Sequence, residues 1–324
     1  HQDRKVVEVA ACHRLSDGRQ PTLIYVPIPD HRKARIMTGT IIVTGASGTV
    51  GREVVKQLAA AGMKVRAAVH TASKGDVFKR LGIETVELDY ARPETWAAAF
   101  DGAAKVFFVG YAGPTFAELS RNLAEAAKKA GVAHFVKLSA FGADFAPQFY
   151  IARSHRESEE AIESTGIAYT HLRPNVFMQN LINYYGQAIR DTGIFYLAQG
   201  DGKVGFIDVR DVAAAAVVTL TSGGHAGKSY SLTGSESLSY YQVAEILSRA
   251  AGKKIEYVAL SEEQALQQSR ASGAPEFLIE VRKTMDAFGR DGGFAPVNSV
   301  YKQITGRQPV RFEQFAKDYA EAFK

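Results

Sequence analysis

Cysteine is almost absent from this chain: Cys12 is the only one in 324 residues. A single thiol excludes an intrachain disulfide framework and a thiolate metal site, which suits a reducing, cytoplasmic setting. Long apolar runs are missing as well. No stretch approaches the roughly 20 residues that a membrane helix needs, and the first residues hold no uninterrupted apolar segment of the secretory-signal kind. An excess of either charge is small. The formal net charge is +5, yet residues 1–36 carry seven Lys/Arg against four Asp/Glu, leaving 32 against 30 for the remainder. So nearly neutral a body does not point to nucleic acid or to an anionic membrane surface. The five histidines beyond that stretch (His70, His134, His155, His171 and His225) show no metal-ligand spacing, so no metal is expected.

Residues 1–36 differ in character from the remainder. They begin with His1, carry scattered charges and run into Met37, just ahead of the first strand pattern. A flexible extension, non-native or encoded upstream, is the expectation. The alternative is an arm that folds back through the apolar segment 23–28.

The rest of the chain has the apolar content of a globular protein, with 46% hydrophobic and 23% charged residues overall. Its clearest motif is IIVTGASGTVG at 41–51. A short apolar strand meets Gly45, Gly48 and Gly51, and a helical pattern follows at once. That context distinguishes a dinucleotide-binding turn from a chance spacing of glycines. Phosphates would lie at the helix N-terminus, where free N–H groups and the helix dipole favour an anion. Ser47, Thr49 and Val50 lie in the same loop.

Strand and helix patterns then alternate to about residue 190. Strands fall at 64–69, 84–88, 105–109, 134–139 and 168–173; helices fall at 49–61, from 74, and at 93–100, 116–130, 153–164 and 177–190. The rhythm predicts an α/β fold with a doubly wound, Rossmann-type parallel sheet over 37–190 and ligand sites at the strands' carboxyl ends. Residues 191–324 break the rhythm and predict a smaller α/β substrate lobe, with elements returning to the sheet. In it Asp208 or Asp211 would cap one helix, Ser239 another, and Gly252 would stop the latter. A last helix at 311–323 spaces Phe312, Phe315, Tyr319 and Phe323 as core aromatics.

Cofactor choice turns on the tip of the second strand. No acid stands before Asp76; His70 occupies the tip and Lys74 follows. A cation there suits the 2′-phosphate of NADP, whereas an acid would bind a free ribose hydroxyl. NADP(H) is therefore expected, with NAD(H) possible, and neither flavin nor metal; an incidental solvated loop is the bland alternative. Asp89, with Tyr90 beside it, is placed either to meet the adenine or simply to cap a loop.

The Tyr-x-x-x-Lys pair of standard short-chain dehydrogenases is lacking, since Ser154 stands four residues after Tyr150. In its place His155 and Glu159 share a helix face, so the carboxylate could orient the imidazole, or the two could be an ordinary polar pair on an exposed helix. Tyr111, Phe141, Phe149, Tyr150 and Phe177 would offer a flat conjugated substrate an aromatic surface if they converge.

The glycine motif, LSAFGAD, the His-x-x-x-Glu helix, LRPNVFMQN and FIDVRDVA together resemble the NmrA-like branch of atypical short-chain dehydrogenase/reductases over about residues 40–323. Within the branch the chain is most similar to NADPH-dependent quinone, triphenylmethane and azo dye reductases. The resemblance implies that Gly45–Gly51 hold the pyrophosphate and that His70 replaces a usual arginine. It further implies that Val109, Gly110 and Tyr111 flank the ribose and nicotinamide, and that Pro174, Asn175, Val176 and Phe177 line the nicotinamide and substrate pocket. Ser139 takes the place of the usual catalytic serine, giving Ser139, Tyr150 and His155 as catalytic candidates. Two function classes stay open: hydride transfer to a quinone or dye-like acceptor, and a non-catalytic NADP(H)-sensing regulator. The partner expected is a small aromatic acceptor, and the protein would be a monomer or homodimer.

Overall fold

The computed structural model describes residues 39–324. The expectations for residues 1–36, including Cys12 and the 23–28 arm, lie outside the described residues.

The chain runs β1 (Thr40–Val43), α1 (Thr49–Ala60), β2 (Val65–Val69), α2 (Asp76–Lys79), β3 (Glu84–Glu87), α3 (Glu94–Phe100), β4 (Ala103–Val109), α4 (Phe116–Lys129), β5 (His134–Leu138), α5 (Tyr150–Glu163) and β6 (Tyr169–Pro174). There follow α6 (Gly186–Thr192), β7 (Ile194–Leu197), β8 (Lys203–Val204), α7 (Val209–Thr221), β9 (Lys228–Leu232), β10 (Leu238–Ser239), α8 (Tyr240–Ala251) and β11 (Glu256–Ala259). Helices α9 (Glu262–Ala271), α10 (Glu276–Arg290), α11 (Val300–Thr305) and α12 (Phe312–Asp318) complete it.

Seven strands form one parallel sheet in the order β3-β2-β1-β4-β5-β6-β9. Its inner strands are buried on both faces, as the apolar runs TIIV and KVFFV require. One face packs Ile41, Val43 and Phe107 against α1 and α7; the other packs Ile42, Val106 and Phe108 against α3 and α4. The order reverses between β1 and β4, which opens the crevice where such sheets bind ligands. Beyond residue 190, β9 joins the central sheet and α7 covers it, while β7, α8, α12 and parts of α5 and α10 enclose a separate aromatic core.

Local signals decided many boundaries. Ser239 forms a reciprocal capping box with Gln242, and Gly252 ends α8 in the left-handed conformation at φ 70°. Of the two candidate caps for α7, Asp208 accepts from the N–H of Arg210, while Asp211 lies within the helix. Other boundaries moved. The stretch from residue 74 is a 3₁₀ turn, Ala72–Gly75, running into the single turn of α2. The helix expected over 177–190 is a π-turn, Leu181–Tyr185, followed by α6. The final helix stops at Asp318, yet Phe312, Phe315 and Phe323 are all fully buried, as their spacing predicts.

Candidate cofactor and active site

The glycine loop leaves β1 through Gly45 at φ 58°, a conformation glycine adopts without strain. A Cβ on Gly51 would stand 2.3 Å from the Gly45 carbonyl oxygen, so helix α1 packs on the loop only because no side chain intervenes. No side chain caps α1 at Gly48, which leaves its first N–H groups to an anion. These features fit a dinucleotide pyrophosphate. Beneath the loop, the Tyr90 hydroxyl bridges the Thr44 hydroxyl at 2.8 Å and the Val109 carbonyl at 2.5 Å. Tyr90 therefore ties the ends of β1 and β4 together. Burial raises its phenol pKa far above the ordinary value.

At the tip of β2, His70 is exposed, with Nε2 3.5 Å from Asp89 Oδ1. Asp89 also pairs with Arg92 at 3.0 Å and accepts from the N–H of Ala91 at 2.9 Å, so it does cap its loop. Lys74 is exposed in the neighbouring 3₁₀ turn. Arg52, which the motif reading passed over, sits in the first turn of α1 and reaches back to the loop, with Nη2 3.3 Å from the Ser47 carbonyl.

A cleft of about 470 Å³ runs from this loop along the strand ends. It is lined by Gly45, Gly48, Thr49, Val50, Gly51, Val109, Gly110, Tyr111, Ser139, Phe141, Phe149, His155, Pro174, Asn175, Val176 and Phe177, together with residues the sequence did not single out: Asn180, Asn183, Tyr184, Met285 and Phe294. The glycine loop and the aromatic surface thus share one cavity. Gly110 has to be glycine, because a Cβ there would lie 2.2 Å from the Phe116 ring. The π-turn brings Asn183 across the cleft, its amide nitrogen 3.3 Å from the Thr49 hydroxyl at the start of α1.

The aromatic candidates divide. Tyr111 is 79% exposed and Tyr184 74% exposed, so both are free at the mouth. Phe141 and Phe149 are buried, and Phe149 stacks on Phe288 at 5.1 Å. Tyr150 does not line the cleft; its ring lies against the Arg153 guanidinium, while its neighbours Phe149 and Ile151 face inward. One turn of helix cannot direct three successive side chains to the same side. The Asn175 amide is committed to the loop, donating to the Phe294 carbonyl and accepting from the N–H of Val176, each at 2.9 Å.

The expected pairing of His155 with Glu159 is not made. His155 Nδ1 meets Lys137 Nζ at 2.8 Å instead. Glu159 accepts from the Ser139 hydroxyl at 2.5 Å and from Arg173 Nε and Nη2 at 2.9 and 2.7 Å. Arg173 also reaches Asp144 at 2.7 Å. The physical reason is that β5 with the residue after it, and β6, bring Lys137, Ser139 and Arg173 against α5, where a bidentate guanidinium outcompetes an imidazole for the carboxylate. Burial alone would raise the pKa of Glu159. The Arg173 bond and the charges of His171, Lys137 and Arg173 overcome it and hold the group at about 2. Burial, and then the charge of Lys137, keeps His155 well below the usual imidazole range, so its ring is neutral.

Glu159, Glu163 and His171 also converge, a juxtaposition the histidine spacing did not reveal. In the cluster His171 Nε2 lies 3.3 Å from Glu163, which Arg156 shares at 3.2 Å. Burial drives the pKa of His171 down to about 3, against the pull of Glu159. The three belong to the ion-pair layer behind the cleft.

The sequence and the fold have clear counterparts among known proteins. The NmrA-like family model matches residues 37–313. An NAD(P)H azoreductase of Xenophilus azovorans is 40% identical over 283 residues, covering 87% of this chain and 99% of that protein. Among solved structures, NADPH-dependent quinone oxidoreductase QOR2 of Escherichia coli complexed with NADPH superposes with a TM-score of 0.76 at 28% identity, covering 86% of this chain and 99% of that one. The triphenylmethane reductase of Citrobacter sp. complexed with NADP(H) gives 0.74 at 26% identity, covering 87% and 99%.

Proposed function

The chain belongs to the NmrA-like family, and from that premise we propose that it is an NAD(P)H-dependent oxidoreductase acting on a quinone or a conjugated, dye-like acceptor of the azo or triarylmethane kind. The observation that carries this reading is the continuity of one cleft from the glycine cradle to Tyr111, His155 and Phe177.

When bound, the reduced nicotinamide supplies the hydride, and no flavin or metal is needed in this reading. The chain's own part is to hold, orient and dry the site. Gly45–Gly51 and the start of α1 take the pyrophosphate. Val109, Gly110, Ser139 and Pro174 line the cleft and would form the wall beside the nicotinamide. His70 and Lys74 would take the 2′-phosphate of NADP, and Asp89, 3.5 Å from His70, would temper that preference. Tyr111, Phe177 and the newly located Tyr184 stack on a planar acceptor. Among the three catalytic candidates His155 faces the cleft, whereas Tyr150 does not.

The direct test is loss of absorbance at 340 nm with NADPH, and then NADH, against quinones and azo or triarylmethane dyes. Acceptor-dependent oxidation is the expected result. Tight NADPH binding with no turnover across that panel would instead make the protein an NADP(H)-sensing regulator.

A further inference from the structure

A cation without solvent contact lies one layer behind the cleft. Lys137 on β5 is fully buried. Its Nζ is 2.8 Å from His155 Nδ1, 3.5 Å from the Leu138 carbonyl and 5.2 Å from the centre of the Phe116 ring. Phe116 in turn packs edge-on against His155 at 5.2 Å. A buried ammonium is expensive unless specific partners hold it. Here the nearest is the imidazole, and Lys137 itself does not line the cleft.

An ammonium has three N–H donors and no lone pair. Facing it, Nδ1 of the neutral His155 must accept, so the ring's own hydrogen resides on Nε2. His155 lines the cleft, and its Nε2 has no protein partner among the described residues. Ser139 is differently placed. Its only hydrogen is donated to Glu159, a carboxylate clamped by Arg173 through both oxygens. Tyr150 is outside the cleft. Of the three candidate proton donors, only the imidazole presents a hydrogen to a bound substrate.

We propose that Lys137 is a positioning and proton-supplying residue for acceptors whose reduction consumes a proton: it fixes the Nε2–H tautomer of His155 and restores the ring as that hydrogen is given up. The proposal rests on the reductase reading. Reducing a quinone to a hydroquinone takes a hydride, with its two electrons, and one proton. The Nε2–H bond breaks as the substrate O–H bond forms, and Nδ1 takes a proton from Nζ, leaving a neutral amine. Water entering after product release returns the proton through the same ring. The titratable and charged groups that act on Lys137 are His155, in contact with it, and Glu159 from α5, and His171 and Arg173 from β6. Burial lowers the pKa of Lys137 to about 7, with Glu159 opposing and Arg173 adding to the shift, so the ammonium is ready to part with a proton near neutrality.

A triarylmethane dye cation separates the two requirements. It takes a hydride at its central carbon, forms a C–H bond and becomes neutral with no proton at all. Lys137→Met should therefore lower the ratio of quinone to dye-cation turnover by about 100-fold, the range of general acid catalysis. Nitrogen-15 NMR of the cofactor-free protein at a pH below the Lys137 value of about 7, where the side chain is an ammonium, supplies a readout independent of turnover: wild type should show His155 protonated at Nε2, and Lys137→Met should lose that preference. Should Lys137→Met fail to fold, His155→Gln, which offers an N–H but cannot relay a proton, should show the same drop in the ratio. An unchanged ratio in the variant, or an Nδ1–H tautomer in wild type, overturns the proposal. A wild type that reduces neither acceptor removes the reductase reading, and the proposal with it.

Discussion

The glycine loop and the charged layer behind Ser139 border the same cleft and are built by opposite means. The loop works by omission. Its residues are consecutive, and its geometry follows from side chains that are absent at Gly45, Gly48 and Gly51. The layer works by insertion: Lys137, His155, Glu159 and Arg173 come from three elements, and all four side chains are buried. A loop of the first kind tolerates little added volume but holds no titrating group. A layer of the second kind is satisfied only while every partner is present. The two should therefore fail differently, one in ligand affinity and the other in stability and pH response.

The largest effect is expected from breaking the layer. Arg173→Met would leave Glu159 with its strongest partner gone, and unfolding by urea should show a loss of about 3–5 kcal/mol. The pH dependence sharpens the contrast. The folded pKa of Glu159 is depressed from 4.5 to about 2, so its stabilisation is complete above the unfolded value and fades as pH falls through the window between the two. Denaturation midpoints followed across that window should slope in wild type and flatten in Glu159→Gln. No such slope should arise from changes in the loop.

Gly51→Ala tests the other region. A Cβ 2.3 Å from a backbone carbonyl cannot be relieved by a rotamer change, so the loop must shift. NADPH affinity should drop by 10- to 100-fold, about 1.4–2.8 kcal/mol, as read by fluorescence titration. An affinity equal to wild type would mean that the cradle does not hold the pyrophosphate.

Smaller effects belong to the mouth of the cleft. Tyr111→Ala and Phe177→Ala should each weaken kcat/KM for a quinone by about 0.5–1.5 kcal/mol, the value of an aromatic pair. If both leave turnover untouched, there is no stacking surface. The smallest change is expected at the exposed His70. His70→Arg should raise the preference for NADPH over NADH by a few-fold, about 0.5–1 kcal/mol, measured as a ratio of kcat/KM values.

Legibility in the sequence followed the same division. The alternation of apolar strands and helices announced the parallel sheet, and the capping signals at Asp208, Ser239 and Gly252 named helix ends that the structure reproduces. Aromatic spacing placed Phe312, Phe315 and Phe323 in a core. The π-turn at Leu181–Tyr185 was not visible, because its apolar and aromatic residues read as one continuous helix. Its consequence, Tyr184 and Asn183 at the cleft, was hidden with it. Tyr150 was chosen by its position in a motif, and helix geometry turned it away.

By itself, then, the sequence determined the fold class, the glycine turn and several helix ends, since each depends on residues a few positions apart and on backbone preferences they impose directly. Only the tertiary structure decided which groups meet behind the cleft. Lys137 is 18 residues from His155, and Arg173 is 14 from Glu159. No local periodicity encodes a choice of partner across that separation. Burial does, because a charge removed from water must take the best-fitting counterpart that the packed strands and helix bring within reach.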